Sequence, residues 1–511
     1  MALDATRSDL VVGVVGAGVM GRGIAQIAVT AGIRVPLYDA RQEATSEAAA
    51  FVEKMLRRAV EKGQMEATAA KEAIRRLEPF GAVSACSPCH VVIESIVEDL
   101  VAKQTLFRRL EDIVDDNCIL ATNTSSLSVT TIASACRRPG RVAGLHFFNP
   151  VPVMKLVEVV DNVSAEPWVC EALTGLALRM GHYPVRTADT PGFIVNHAGR
   201  GYDTEAQRVV AEGIATFVTV DRIMRDAVGF RMGPFEVFDL LGLDVSHPAT
   251  ESIYGQYYHE PRFRPSPLAR QRIAAGLLGK KTGRGFYRYQ DGEPVMPAEA
   301  PARGPGPDSV WVSRAAPEGH AALSEILTAM DAPLETKKSP SDGALCLVTP
   351  VGEDATTTAI AQGLDPTRVV AVDTVFGLGK RRTLMAPPVV DPERLAAACK
   401  LLGADGVPVS VICDSPGFVA QRVAAMIVST GCDMAQQRLA APEDIDRAVK
   451  LGLAYPRGPL SFGDAVGATR ILGILASMQR FYGDPRYRPS PWLTRRARLG
   501  VSLLTPEYQI D

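Results

Sequence analysis

Two side chains twelve positions apart could work together in acid–base chemistry. His146 follows a short apolar run, and Glu158 comes twelve residues later, after a loop that contains two prolines. A neutral imidazole titrates near pH 7 and can remove a hydroxyl proton. A carboxylate on its other ring nitrogen sets the tautomer and stabilises the imidazolium that forms. The pair therefore predicts a general base, of the kind that oxidation of a secondary alcohol requires.

A glycine-rich segment near the start predicts a dinucleotide site. It matches GxGxxG and reads Gly16-Ala17-Gly18-Val19-Met20-Gly21. It directly follows the strand-like run 11–15 and precedes a helical stretch, which is the context that gives the motif meaning. The glycines allow a tight turn, the approach of a pyrophosphate and close packing of helix on strand. The helix N-terminus favours phosphate. Asp39 ends the next strand, where a carboxylate binds ribose hydroxyls and repels the additional phosphate of NADP, so NAD is the expected cofactor.

These residues need a sheet that brings strand ends together. Apolar runs predict strands at 35–38, 91–93, 119–121 and 142–145, with helical stretches between them. This alternation is typical of an α/β fold, a Rossmann-type doubly wound parallel sheet over residues 1–188. Helical periodicity then takes over, which predicts an all-α domain over 189–290. Five prolines in residues 291–310 indicate an extended linker.

Together these segments resemble the L-3-hydroxyacyl-CoA dehydrogenase family. The resemblance runs from about Val11 to Tyr287, where the sequence GKKTGRGFY ends. It implies NAD-dependent oxidation of a (3S)-3-hydroxyacyl-CoA thioester to the 3-oxoacyl-CoA, and both 3-hydroxybutyryl-CoA and 3-hydroxyadipyl-CoA fit. The rest of the chain is similar to longer members from phenylacetate and related aromatic-acid catabolism, which carry a second helical domain. No hydratase-like half precedes or follows, so we expect a single activity.

The resemblance assigns roles to particular positions. The base falls on His146 and its partner on Glu158. The contact with the substrate hydroxyl falls on Ser125, and the residue near the substrate carbonyl on Asn196. Besides the glycine motif and Asp39, the family's contacts with NAD fall on Glu98, Lys103, Asn123, Asn149 and Lys281.

Binding of CoA is less well defined by the sequence. Lys62 lies nearest to a family contact with CoA. It ends a basic helical stretch with Lys54, Arg57 and Arg58, which could contact the CoA phosphates. A solvated helix face explains the same pattern equally well.

A repeat organises the second half of the chain. The segment that begins at Asp189, DTPGFI, recurs at Asp414 as DSPGFV, and several later positions recur at the same offset of 225. We therefore predict a second copy of the helical domain over 414–511. Residues 311–413 contain RVVAVD at 368–373, which matches RVAGLH at 141–146. That region predicts a degenerate Rossmann-like remnant.

The repeat also predicts that the second half is inactive. At an offset of 227, His146 corresponds to Asp373 and Glu158 to Met385, while Asn196 corresponds to Gln421 at 225. No GxGxxG precedes them. We expect residues 308–511 to bind no NAD, and the two helical domains to form either an internal pseudo-dimer or part of a homodimer. The competing hypothesis is a retained acyl-CoA-binding or regulatory surface.

The composition excludes several partners. Net charge is −2 over 511 residues, so nothing indicates nucleic acid, and no apolar run reaches the length of a membrane span. The polar N-terminus and nine scattered cysteines favour the cytoplasm, and the lone CxxC predicts no metal. The alternatives are a sugar-acid dehydrogenase related to the lambda-crystallins and a non-catalytic acyl-CoA-binding or structural protein.

Overall fold

The computed structural model describes residues 3–299 and 304–508. The chain forms two compact units, of which the first comprises residues 1–197 with 437–454 and the second residues 198–436 with 455–511. Within the described ranges, no helix combines the length and the apolar character needed to cross a bilayer.

The first unit contains the predicted doubly wound sheet. Its eight strands run in the order β3-β2-β1-β4-β5-β6-β7-β8, and every pair is parallel except β6 with β7. The central strands are apolar on both faces, as expected of a parallel sheet covered by helices on both sides. The strands are β1 Val12–Val15, β2 Val35–Tyr38, β3 Leu77–Phe80, β4 Val91–Glu94, β5 Ile119–Thr122, β6 Val142–Phe147, β7 Leu156–Asp161 and β8 Tyr183–Ala188.

Helices cover both faces of this sheet and bury two apolar cores. One core contains Val14, Ile24 and Leu173, and the other contains Phe107 and Leu120. Alternate residues of the central strands β1, β4, β5 and β6 therefore enter opposite cores. The helices are α1 Val19–Thr30, α2 Gln42–Glu61, α3 Ala67–Arg76, α4 Leu100–Glu111, α5 Val129–Ala133 and α6 Pro167–Arg179.

The first helical copy follows, and most of it lies in the second unit. Its helices are α7 Val195–Ala211, α8 Phe217–Ile223, α9 Pro234–Leu241, α10 Leu243–Gln256 and α11 Pro267–Ala274. The predicted linker is partly structured, because β9 Tyr289–Gln290 pairs with β10 Glu293–Pro294 as a hairpin. Farther along, Arg381 donates to the Glu299 carboxylate (Nη1–Oε2 3.2 Å), which anchors the segment. Residues 300–303 of the predicted linker lie outside the described residues.

A second, smaller sheet lies in the second unit. Its order is β11-β12-β13-β14-β15, and only the pair of β13 and β14 is antiparallel. This arrangement repeats β4 to β8, and no counterpart of β1 to β3 is present among the described residues. The elements are β11 Val310–Val312, α12 Pro317–Ala329, β12 Leu345–Val348, α13 Ala355–Ala361, β13 Val369–Val372, β14 Arg382–Met385, α14 Pro392–Leu402 and β15 Val409–Ile412.

The second helical copy contributes one helix to the first unit. Its helices are α15 Ala420–Gln436, α16 Pro442–Leu453, α17 Pro459–Val466, α18 Ala468–Tyr482 and α19 Pro491–Leu499. Helix α16 belongs to the first unit, where the Ala188 N–H donates to the Leu439 carbonyl at 3.0 Å. The bond at the equivalent positions 225 residues away, from the Cys413 N–H to the Ile214 carbonyl, forms at 2.9 Å inside the second unit.

Equivalent positions of the two helical copies touch each other in the second unit. Helices α7 and α15 cross at Gly201, where a Cβ atom would lie 2.8 Å from the carbonyl oxygen of Met426, the residue 225 positions later. Contact between a residue and its own counterpart is the mark of a local two-fold axis. Beside this crossing, Arg422 and Glu205 form a fully buried ion pair (Nη2–Oε1 2.7 Å).

Candidate active site

The turn between β1 and α1 has the shape that a bound pyrophosphate needs. Gly16 has φ +104°, a conformation that side chains other than glycine rarely adopt. A Cβ on Gly21 would lie 1.7 Å from the Gly16 carbonyl oxygen, so this glycine permits close packing of helix and strand. A Cβ on Gly18 would meet nothing within 4 Å. The open space lies at the uncapped N-terminus of α1, where phosphate is favoured.

Asp39 lies beside this turn at the end of β2. Its carboxylate accepts from the Ala17 N–H (Oδ2, 2.8 Å) and from the Arg41 N–H (Oδ1, 2.9 Å). The side chain is partly exposed, so lone pairs remain available for hydroxyl donors such as those of a ribose. Val19 and Met20, at the start of α1, are exposed and half-buried respectively. The residues present therefore fit an NAD molecule.

The structure brings His146 and Glu158 together. They are direct partners in the antiparallel register of β6 and β7, and Nδ1 lies 2.7 Å from Oε2. The other carboxylate oxygen accepts from the N–H groups of Ile194 (3.0 Å) and Val195 (2.9 Å), at the start of α7. Both side chains are buried. The carboxylate therefore has a fixed position from which to hold the ring.

The environment of the imidazole selects one tautomer. Because a carboxylate can only accept a hydrogen bond, Nδ1 carries the hydrogen and Nε2 keeps its lone pair. Nε2 has no hydrogen-bond partner among the described residues. The rings of Phe148 and Phe193 lie 4.4 and 5.7 Å from the imidazole, centroid to centroid. The arrangement leaves a basic nitrogen free for a substrate.

Ser125 and Asn196 lie next to each other at the same edge of the sheet. Ser125 is exposed in the loop after β5, and its carbonyl accepts from the Asn196 side-chain amide at 3.3 Å. β5 is the neighbour of β6, whose end carries His146. The carboxyl ends of adjacent strands thus gather the predicted substrate contacts, as expected of an open α/β sheet.

Glu98 organises this loop. Its carboxylate accepts from the Thr124 hydroxyl (2.6 Å) and from the N–H groups of Ser125 (2.9 Å) and Ser126 (3.0 Å). Burial raises the pKa of Glu98, but the charge of Lys103 and these hydrogen bonds outweigh it, so the pKa lies below its usual value. An ionised Glu98 therefore holds the Ser125 loop in place.

The remaining predicted contacts with the cofactor differ in their surroundings. The Lys103 ammonium is buried, 2.5 Å from Glu94 and 3.3 Å from Glu98, so it acts on the site through those carboxylates. The Asn123 side-chain oxygen accepts from the Phe147 N–H at 2.8 Å and joins the ends of β5 and β6. Asn149 is exposed.

For two predicted residues, Lys281 and Lys62, the contacts in the structure do not bear on the predicted role. Lys281 lies in the second unit, where its ammonium pairs with Asp244 at 2.5 Å. Lys62 is exposed at the end of α2. The basic stretch before it is exposed as well, so the structure brings no CoA contact together there.

Sequence reasoning missed two supporting carboxylates. Glu94 is buried at the end of β4, where it accepts from Lys103 and from the Thr122 hydroxyl (2.7 Å). Asp189 accepts from the N–H groups of Val129 (3.0 Å) and Thr130 (2.7 Å) and so caps α5. The repeat contained a signal for Asp189, because Asp414 caps α13 in the same way.

The corresponding place in the second sheet is built differently. Asp373 stands where His146 stands, but the register of β13 and β14 puts Thr383 opposite it, so the predicted match of Glu158 with Met385 is wrong. The connection before β14 is two residues shorter, which a constant offset cannot show. Gln421 donates to the Asp373 carboxylate at 2.9 Å, and both are buried. Burial raises the pKa of Asp373 to about 6.

Comparisons with known proteins identify the family of the chain. The sequence model for the 3-hydroxyacyl-CoA dehydrogenase NAD binding domain matches residues 11–190, and the model for the C-terminal domain of that family matches twice, at 192–289 and 417–502. The 3-hydroxyadipyl-CoA dehydrogenase of Escherichia coli K12 is 37% identical over 96% of this chain and 97% of its own length. A probable 3-hydroxybutyryl-CoA dehydrogenase of Bacillus subtilis is 40% identical over 54% of this chain and 96% of its own.

A solved structure extends the likeness to the whole chain. The crystal structure of a 3-hydroxybutyryl-CoA dehydrogenase from Escherichia coli K12 matches with a TM-score of 0.84 and 36% identity, over 96% of this chain and 98% of that one. Residues 11–190 are thus an NAD-binding domain, and the cofactor is NAD. With both family domains matched and a relative of the same length, the chain belongs to the 3-hydroxyacyl-CoA dehydrogenase family and is an NAD-dependent oxidoreductase.

Proposed function

We propose that this chain oxidises (3S)-3-hydroxyacyl-CoA thioesters to 3-oxoacyl-CoA at one site in its first unit. The observation that carries the proposal is the 2.7 Å contact between His146 and a Glu158 carboxylate that two backbone N–H groups fix. The family of the chain and the names of its relatives support the choice of substrate class.

In this mechanism, Nε2 of His146 takes the proton of the substrate hydroxyl. Glu158 holds the ring through Nδ1–H and stabilises the imidazolium that forms, which makes Glu158 a positioning residue. NAD held at the glycine turn 16–21 and Asp39 would supply the hydride acceptor. Ser125 and Asn196 orient the hydroxyl and the thioester carbonyl. Proton transfer to a positioned base accounts for about 10²–10⁴-fold of the rate.

The experiment is an NADH-oxidation assay with acetoacetyl-CoA and, separately, with free keto acids and keto sugar acids. We expect turnover with the thioester alone. Turnover with the free acids alone would favour the sugar-acid dehydrogenase alternative, and no turnover with either would favour a binding protein. 3-Oxoadipyl-CoA in the same assay determines whether a dicarboxylic acyl chain is preferred, as in aromatic-acid catabolism.

His146→Gln tests the base directly. We expect the variant to lose about 10²–10⁴-fold in kcat while NADH binding stays close to normal, because the imidazole is removed and the glycine turn is untouched. Fluorescence titration with NADH measures the binding. Loss of NADH binding together with activity would show that this residue has been given the wrong role.

We further propose that the second half catalyses nothing and supports the first. Asp373 cannot replace an imidazole, and Gln421 occupies the space beside it. Helix α16 packs in the first unit, where a Cβ on Gly452 would lie 2.8 Å from the Val195 side chain. Val195 donates to Glu158, so the second copy buttresses the residue that holds the base.

A further inference from the structure

The second sheet retains a cavity at the carboxyl ends of its strands. The cavity has a volume of about 480 Å³, within the range of small-molecule sites. It lies over the ends of β12 and β13 and beneath the first turn of α12, and is lined by Gly319, Ala322, Thr349, Val351, Thr374 and Arg470, among others. No step of the proposed reaction uses this place.

The first turn of α12 presents free donors to the cavity. The helix has 13 residues, and its N-cap is Ala316, which has no side chain that could cap it. The N–H groups of Glu318 and Gly319 have no hydrogen-bond partner among the described residues. In the first half, the Asp99 carboxylate caps the corresponding helix α4 by accepting from the Ala102 N–H at 2.8 Å. The second half has lost that carboxylate, and an uncapped N-terminus attracts an anion.

A buried hydroxyl provides a second, independent sign of a ligand. Thr349 is only 3% exposed, and its Oγ1 is buried without a hydrogen-bond partner. A buried hydroxyl with no partner costs about 1–3 kcal/mol, so such groups call for an explanation. A Cβ on Gly319 would lie 2.3 Å from this oxygen and 3.0 Å from Oγ1 of Thr374. Because residue 319 is glycine, both hydroxyls lie close to the start of the helix.

A cation and an apolar surface complete the site. Arg470 lines the cavity; its Nη1 donates to the Val466 carbonyl at 2.9 Å, and its Nη2 pairs with the Glu318 carboxylate, whose side chain is 84% exposed. An ion pair to so exposed a partner contributes little, so Nη2 can bind another anion while Nη1 keeps its carbonyl. Val351 and Ala322 give the cavity an apolar side, and Val351 is exposed there. The nearby Asp373 carboxylate is already held by Gln421 and by the Val375 N–H at 3.1 Å.

We propose that this cavity binds a small organic anion, with a carboxylate or phosphate head at the start of α12 and an aliphatic body against Val351 and Ala322. The head accepts from the N–H groups of residues 318 and 319 and from Thr349, and Arg470 balances its charge. The site is separate from the NAD-binding domain and is independent of the proposed reaction.

Calorimetric titration of the full chain, saturated with NADH, tests the proposal with three probes: hexanoate, hexyl phosphate and inorganic phosphate. We expect one equivalent of hexanoate or hexyl phosphate to bind, and the one that binds identifies the head group. Thr349→Val, which keeps the shape, and Arg470→Met should each weaken binding by about tenfold. Arg480→Met, on the same helix α18 but outside the cavity, and Gly343→Ala should leave it unchanged.

Three results would overturn the site. The first is that neither hexanoate nor hexyl phosphate binds. The second is that Thr349→Val and Arg470→Met both leave binding intact. The third is that inorganic phosphate binds as tightly as hexyl phosphate, which would show that the apolar side of the cavity contributes nothing. Thermal unfolding of each variant shows whether it is folded. Because neither variant touches the residues proposed for catalysis, failure here leaves the acetoacetyl-CoA assay as a separate test of the proposed function.

Discussion

His146 and Asp373 occupy the same place in two related sheets, and their partners make them chemically different. His146 meets a fixed carboxylate, which leaves a lone pair on its outer nitrogen. Asp373 meets the amide of Gln421, a neutral donor, in a buried site. A carboxylate so placed loses its hydration without gaining a cation, which raises its pKa to about 6.

The stability of the chain should reveal the raised pKa of Asp373. A carboxyl group whose pKa is higher in the folded state contributes most to the free energy of unfolding below its pKa in the unfolded chain, which is 3.8. That contribution is lost as pH rises through about 6, the pKa in the folded state. Asp373→Asn removes the charge. The variant should therefore match the wild type near pH 4 and be more stable at pH 8, by up to about 3 kcal/mol.

Denaturant unfolding at both pH values measures this difference, and the turnover of the variant should equal that of the wild type. A lower stability at pH 8 would mean that the carboxylate is ionised and satisfied. A large fall in turnover would contradict the inactive second half.

At the scale of elements, the glycine turn separates two functions of one motif. Gly21 lies against the Gly16 carbonyl, whereas Gly18 faces open space. Gly21 is therefore needed for folding of the strand–turn–helix unit, whereas Gly18 leaves room for the cofactor.

Alanine at each glycine should separate these functions. Gly21→Ala places its Cβ on the Gly16 carbonyl and should destabilise the domain by several kcal/mol, since both partners are backbone. Gly18→Ala should leave thermal unfolding almost unchanged and weaken NADH binding by about tenfold or more, because its Cβ points to where a pyrophosphate lies. Thermal unfolding and NADH titration measure both. Normal NADH affinity in Gly18→Ala would argue against a pyrophosphate bound beside Gly18.

The packing of α16 gives a second prediction at this scale. Gly452→Ala brings a methyl group against Val195, whose N–H holds Glu158, and should reduce kcat by about tenfold through misplacement of the base. Gly473→Ala, in helix α18 with nothing near its Cβ, is the matched control and should keep full activity. Equal rates for the two variants would remove the buttressing role.

Much at this scale could be predicted from the sequence. Apolar β-branched runs located the strands near 91, 119 and 142, because a buried parallel strand permits few other residues. The register of β14 could not be predicted, since a connection two residues shorter leaves no mark on a constant offset. Nor could the position of α16, because the repeat identifies the helix without indicating which sheet it meets. The unpaired hydroxyl of Thr349 depends on a packing detail that no pattern encodes.

At the scale of the whole molecule, duplication has produced an interface that is symmetric in backbone and asymmetric in charge. Gly201 meets its counterpart Met426, yet Glu205, buried against Arg422, corresponds to Thr430 in the other copy. Arg486 also contacts the Glu205 carboxylate, at 3.1 Å. The Glu205 carboxylate thus has no counterpart at Thr430, and the buried ion pair of the other copy joins Arg262 to Asp433 (3.0 Å) instead.

This asymmetry predicts unequal effects of equivalent substitutions. Glu205→Leu removes the fully buried carboxylate that Arg422 and Arg486 share, leaves Arg422 with the partly exposed Glu212 alone, and should cost about 3–5 kcal/mol of unfolding free energy. Thr430→Val at the equivalent position loses one hydrogen bond to the Met426 carbonyl and should cost about 1 kcal/mol or less. Thermal unfolding compares them. Equal losses would mean that the ionic cluster adds nothing specific.

The crossing of α7 and α15 has a consequence for how the protein responds to dilution. In a dimer of separate chains, such a crossing is lost below the dissociation constant, and the melting temperature depends on protein concentration. Here both helices belong to one polypeptide, so their encounter is unimolecular and its effective concentration is set by the tether. At nanomolar concentrations, α7 and α15 therefore stay packed together. Because one chain contains both helices, they are always present in equal numbers.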